Sequence, residues 1–158
     1  MEIDLKYLGD KRFDVTTAKS SFILDCKEIT PVEYFASGLL GCTGIDLVFF
    51  ANKDGYEIRD YSIKGEIIRS EGVPYKFNEV HIIYSFEGDF EPIKAKRYIL
   101  SSLESYCTTV NSIRDSVKVY YTIIYNGEEI AKKESIISGN GVNAAGEFED
   151  GFGGACCS

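Results

Sequence analysis

Five cysteines and one histidine are the residues through which this chain could do chemistry beyond ordinary charge pairing. Cys42 lies in Leu39-Leu40-Gly41-Cys42-Thr43-Gly44-Ile45-Asp46 and Cys107 in Ser105-Tyr106-Cys107-Thr108-Thr109, about 65 positions later. A thiolate is a strong nucleophile, and two cysteines that meet can cycle between dithiol and disulfide. Each also has a plain reading as a small buried apolar residue. Around Cys42 the flanking glycines leave room, and Thr43 and Asp46 bring polar groups, Asp46 one turn away on the same helical face. Cys107 follows Ser101, Ser102 and Ser105. A helix broken there would put it in the first turn of a new segment, where backbone N–H groups favour a thiolate. Cys26, near a strand end, reads as an ordinary thiol. The adjacent Cys156-Cys157 pair ends the chain and could serve as a built-in dithiol or capture a soft metal. A Ser-His-Asp triad could be built only through His81, and a zinc site made mainly of histidines is excluded. His81 itself reads as a solvated residue on the polar face of a strand.

The elements that must position these residues follow from periodicity. Ile3, Leu5 and Tyr7 alternate with charged residues, Gly9-Asp10 turns the chain, and Phe13-Asp14-Val15 and then Ser21–Leu24 return, giving a three-stranded meander. Thr30-Pro31-Val32-Glu33 is a helix start: Thr30 caps, proline suits the first helical position, and Glu33 completes a capping box. Apolar residues at Phe35, Leu39, Cys42, Ile45 and Phe49 continue the helix to Asn52-Lys53-Asp54-Gly55, with Gly55 as C-cap. Gly38, Gly41 and Gly44 each cost about 1 kcal/mol against alanine in a helix interior, and close approach of another backbone is the simplest reason for them. Strands follow over about 58–69 and through Val80, Ile82, Tyr84 and Phe86. A second helix opens at Glu91-Pro92 and carries Cys107. A long strand through Val117–Tyr125 then turns at Asn126-Gly127, the strongest hairpin signal in the chain. The order βββ-α-ββ-α-ββ predicts an α+β domain of antiparallel sheets with two main helices. This domain covers residues 1–138, and a Gly-rich tail, expected to be flexible, covers 139–158.

Composition sets the outer bounds. The chain has 158 residues, 44% hydrophobic and 27% charged, enough for one real core. A net charge of −8 repels phosphate backbones, so nucleic acid is not the expected partner. The N-terminus has no signal-peptide pattern, and the longest purely apolar run, Leu47–Ala51, is too short for a bilayer span. A cytoplasmic protein with no membrane partner is expected, its cysteines reduced and chemically available.

The segment Thr30-Pro31-Val32-Glu33-Tyr34-Phe35 followed by Leu39–Asp46 resembles the first cysteine motif of the OsmC/Ohr family, the osmotically inducible and organic hydroperoxide resistance proteins. Ser101-Leu103-Glu104-Tyr106-Cys107-Thr108 resembles that family's second motif, and the order of elements agrees over roughly residues 1–134. The resemblance implies an OsmC-like fold, an intertwined homodimer and a cofactor-free, metal-free thiol peroxidase. Cys42 would be peroxidatic and Cys107 resolving, the substrate a small organic or inorganic hydroperoxide, and the reductant an external dithiol, in the service of oxidative-stress defence. Family members use an arginine and a glutamate to hold the thiolate. In the hydroperoxide-reductase branch the glutamate directly follows the proline of the motif. That position is Val32 here, and the acid stands one place on at Glu33, as in a less characterised branch. Glu33 is nine residues before Cys42, on the opposite side of a regular helix. Arg12 is the N-terminal candidate for the arginine. Asp46 beside a thiol would raise its pKa, so it is assigned to structure or to the dimer contact. Two other readings stand beside the peroxidase: a non-enzymatic small-ligand-binding protein on the same fold, and soft-metal binding through Cys156 and Cys157.

Overall fold

The computed structural model describes residues 1–137. The tail from 139, with Cys156 and Cys157, lies outside the described residues. The chain forms two compact units, Met1–Ser37 and the residues from Gly38 onward.

In the first unit, strands β1 (Ile3–Gly9), β2 (Arg12–Thr17) and β3 (Ser21–Asp25) form an antiparallel sheet in the order β1-β2-β3. Leu5 pairs with Val15, Val15 with Phe22, Tyr7 with Phe13, and Phe13 with Leu24. Directly paired residues share a face, so this register gathers the apolar side chains on one side. Ile3, Leu5, Tyr7 and Phe22 on that side are exposed. Helix α1 (Pro31–Lys53) starts as its sequence dictates. The Thr30 N–H and hydroxyl both donate to the Glu33 carboxylate at 2.7 Å, and Glu33 N–H donates back to Thr30 Oγ1 at 3.3 Å. At the other end Gly55 takes φ +81°. Gly55 N–H reaches Asn52 C=O at 3.0 Å and Tyr56 N–H reaches Ala51 C=O at 2.9 Å, the paired bonds that close a helix on a left-handed residue.

The second unit is built on a four-stranded sheet of β4 (Arg59–Arg69), β5 (Phe77–Glu87), β6 (Lys118–Tyr125) and β7 (Glu128–Ser135), in that order. Antiparallel pairing holds for β4–β5 and β6–β7, but β5 and β6 run parallel. The expectation of wholly antiparallel sheets is corrected here. The link from β5 to β6 is a helical crossover, the connection that parallel neighbours require. Asn126 and Gly127 take positive φ, 49° and 80°, in the β6–β7 hairpin, as its sequence predicts. Val80, Ile82, Tyr84 and Phe86 of β5 and Val119, Tyr121, Ile123 and Tyr125 of β6 are buried beneath Leu39, Leu47 and Phe50 of α1 and Tyr98, Ile99, Leu103 and Val110 of the second helical stretch.

By length and hydropathy alone α1 could cross a bilayer, with mean hydropathy 1.5 over its most apolar window. In the fold it buries Leu39, Leu47 and Phe50 together with the carboxylate residue Asp46, the pattern of a core helix. Its glycines divide by function. A Cβ on Gly44 would meet Tyr61 Oη at 3.2 Å, so this glycine admits β4, whereas Gly38 and Gly41 face open space.

The second helical stretch is not one helix. α2 (Pro92–Ser101) runs into a π-helical turn, Ser102–Tyr106, and α3 (Thr108–Ile113) follows. The break expected near Ser101–Ser105 falls at Cys107 itself, which is extended at φ −70°, ψ 102° and is the N-cap of α3 rather than part of its first turn.

Candidate functional site

Cys42 leaves α1 at the edge between the helix's buried side and its exposed side, where Gly41, Ile45 and Phe49 lie, and it is half-buried. Cys107 is fully buried. The π turn puts it there. Its N–H reaches Ser102 C=O at 2.8 Å, five residues back, and this wider loop turns the side chain inward before Asn111 N–H, bonded to Cys107 C=O at 2.9 Å, starts α3. The two thiols face each other: Cys107 Sγ–H lies in hydrogen-bonding reach of the Cys42 sulfur.

Burial pushes the Cys107 thiol up to about 12 from an ordinary 9.0. The hydroxyl of Thr109, 3.2 Å from the sulfur, and the N–H of Val110 pull the other way. The expected help from N–H groups at a helix start is therefore present and is outweighed by desolvation. Cys107 consequently stays protonated at neutral pH and presents a proton to Cys42. Iodoacetamide at pH 8 is expected to label Cys42 in the folded protein and Cys107 only after denaturation; equal labelling of both would contradict this burial. Because the folded thiol titrates above the unfolded one, its contribution to stability is full below about pH 9 and declines as pH rises toward 12.

Beneath the sulfurs a buried polar chain ties three elements together. Thr43 Oγ1 is 2.6 Å from Tyr84 Oη and 3.0 Å from Ser102 Oγ, and the Ser102 hydroxyl donates to Asp46 Oδ2 at 2.7 Å. Asp46 is fully buried and, with Thr43, links α1 to the π turn that carries Cys107. This agrees with the structural role expected for it.

A second buried group lies on the other side of the π turn. Arg114, just past α3, donates Nη1–H to Glu104 C=O at 3.1 Å and Nη2–H to Leu103 C=O. Its Nη1 is 3.8 Å from Glu104 Oε2, with both side chains almost wholly shut from solvent. Glu104 Oε1 accepts the Ile137 N–H at 2.7 Å. Arg114 also lies within electrostatic reach of Cys107. Glu104 stands in the segment that resembles the family's second motif, but its pairing with Arg114 was not read from the sequence, because charged residues inside a helical stretch read as exposed.

Of the other sequence candidates, Glu33 spends its carboxylate on Thr30 at the start of α1, and Arg12 is exposed at the start of β2, paired with Asp25. Both belong to the first unit, whereas both cysteines belong to the second. Cys26 is half-buried, its N–H bonded to Lys11 C=O at 3.0 Å. The solvated reading of His81 is corrected: its side chain is only 12% exposed, with Nε2 2.9 Å from Thr122 Oγ1 and Nδ1 3.4 Å from Glu66. Neighbouring strands supply those partners, and a single strand's alternation cannot reveal them.

An α+β domain with a helical crossover, in which a half-open thiol faces a shut one, defines a class of dithiol-bearing protein. A family model described as OsmC-like protein matches residues 24–122, and the chain belongs to that family. No curated protein matches the chain. Among solved structures, a hypothetical protein from Aquifex aeolicus VF5 is similar at 22% identity and TM-score 0.68, over 79% of this chain and 96% of that one. An OsmC-like protein from Mycoplasma pneumoniae is similar at 14% identity and TM-score 0.65, over 79% and 97%. The organic hydroperoxide resistance protein OhrB of Bacillus subtilis is similar at 19% identity and TM-score 0.53, over 78% and 98%.

Proposed function

We propose that the protein is a thiol peroxidase that reduces small organic or inorganic hydroperoxides in the cytoplasm. The observation that carries this reading is the facing pair of thiols, Cys42 half-open and Cys107 buried with its proton retained. Cys42 Sγ, as thiolate, attacks one peroxide oxygen. An S–O bond forms, the O–O bond breaks, and the alkoxide departs and takes up a proton as an alcohol. Cys42 is left as sulfenic acid. Cys107 Sγ then attacks that sulfur, its proton leaves with the hydroxyl as water, and a disulfide joins the two residues. An external dithiol returns both to thiols and is itself oxidised. Glu33 and Arg12 are the orienting partners the family resemblance offers. Fully reduced protein mixed with one equivalent of cumene hydroperoxide should yield one alcohol and one Cys42–Cys107 disulfide, far faster than free cysteine reacts. A protein that binds the hydroperoxide and leaves it intact would instead be a ligand-binding member of the fold.

The same reading includes a homodimer. Among the described residues, the β1–β3 sheet exposes Ile3, Leu5, Tyr7 and Phe22, and α1 exposes Gly38, Gly41, Ile45 and Phe49; exposed apolar patches of this kind mark interaction sites. The two open glycines let a second helix approach closely. Ile45→Glu, which buries no charge within the chain itself, is expected to shift the protein from dimer to monomer in sedimentation; an unchanged mass would remove the α1 stripe from the interface.

A further inference from the structure

Reduction of the disulfide poses a problem that the peroxide step does not. The incoming dithiol can reach only Cys42, because Cys107 is fully buried. Attack at Cys42 Sγ breaks the S–S bond and sends the electron pair onto Cys107 Sγ, in a setting that disfavours a thiolate. Leaving-group acidity sets the rate of such exchange. α1 brings Cys42 to that sulfur and β5 brings Tyr84; α3 offers Thr109 and the Val110 N–H, with Arg114 just beyond it. Arg114 is the cation among them, and its guanidinium is fastened to the Leu103 and Glu104 carbonyls of the turn that carries Cys107.

Resting on the disulfide cycle above, we infer that Arg114 is a positioning residue for the reductive half-reaction, holding positive charge against Cys107 Sγ as it leaves. The balance is complete. Thiolate attack forms a mixed disulfide between the dithiol and Cys42, and Cys107 departs as thiolate and then takes a proton. The dithiol's second sulfur then displaces Cys42 and closes the oxidised dithiol. Glu104 holds the guanidinium in place and offsets part of its charge, so the cation serves the sulfur without drawing water into the core. Nothing in this step involves the peroxide, so the two halves of the cycle should separate in a variant.

The test compares Arg114→Met and Arg114→Lys with the parent protein, after circular dichroism establishes that each is folded. Reduction of the preformed disulfide by dithiothreitol is expected to slow by about tenfold in Arg114→Met and to recover in Arg114→Lys, since a less acidic leaving thiol departs more slowly. Alcohol release from cumene hydroperoxide by the reduced protein should change by less than about twofold, because Cys42, not Cys107, is the sulfur that attacks the peroxide. In a Cys42→Ser background, the Cys107 Cβ carbon signal should begin its pH-dependent shift at higher pH in Arg114→Met than with arginine present. Unchanged reduction, a matched fall in both half-reactions, or lysine performing no better than methionine would overturn the assignment. Should the parent protein form no disulfide, the peroxidase reading fails, while the carbon-signal titration still decides whether Arg114 acts on Cys107.

Discussion

Cys42→Ser is expected to abolish hydroperoxide consumption, a loss of at least about a thousandfold, because a serine hydroxyl is not ionised near neutral pH and has no comparable nucleophilicity. Cys107→Ser should behave differently. The first oxidation proceeds, one equivalent of alcohol appears, and turnover stops at a sulfenic acid that dimedone traps on Cys42. The difference follows from placement: Cys42 meets solvent, and Cys107 meets only Cys42 and its own packing. Steady turnover by the Cys42 variant would refute the assignment of the nucleophile. Identical, complete loss in both variants without a trapped sulfenic acid would mean that Cys107 does more than resolve. A protein that merely binds apolar molecules would show neither pattern, and its ligand affinity would survive both substitutions.

The second large effect concerns stability. Glu104→Leu should cost about 3–5 kcal/mol, the usual consequence of leaving one member of a buried ion pair without its counter-charge. Arg114 would keep its charge in a closed site, and the Ile137 N–H would lose its acceptor. Glu104→Gln keeps an acceptor for that N–H and should cost less. Combining Glu104→Leu with Arg114→Met should recover much of the loss, since no uncompensated charge then remains, and the double-mutant cycle measures the coupling directly. Urea midpoints for the four proteins provide the check. Additive losses would show that the two side chains stabilise the fold independently.

Local signals in the sequence were read correctly where a few neighbouring residues decide the outcome. Thr30 and Glu33 cap α1, Gly55 ends it, and Asn126-Gly127 turns β6 into β7. The pairing of Cys42 with Cys107 came from the family resemblance; the spacing of the two residues by itself did not dictate it. What escaped depends on distant parts of the chain. Alternation on β5 and β6 is the same whichever way the strands run, so the parallel pairing was invisible. Glu104 and Arg114 are charged residues whose burial depends on partners from other elements, and Glu104 accepts an N–H from residue 137. His81 was misread for the same reason, its partners Glu66 and Thr122 lying on the two strands beside it.

The parallel neighbours β5 and β6 also govern when the thiols become sheltered. No tight turn can bring these strands together. Residues 88–117 must first be drawn in as a loop, and closing a segment of that length costs chain entropy before its contacts repay it. Val119, Tyr121 and Ile123 cannot cover the core until that event. The burial that shelters Cys107 therefore cannot be complete until that loop has closed.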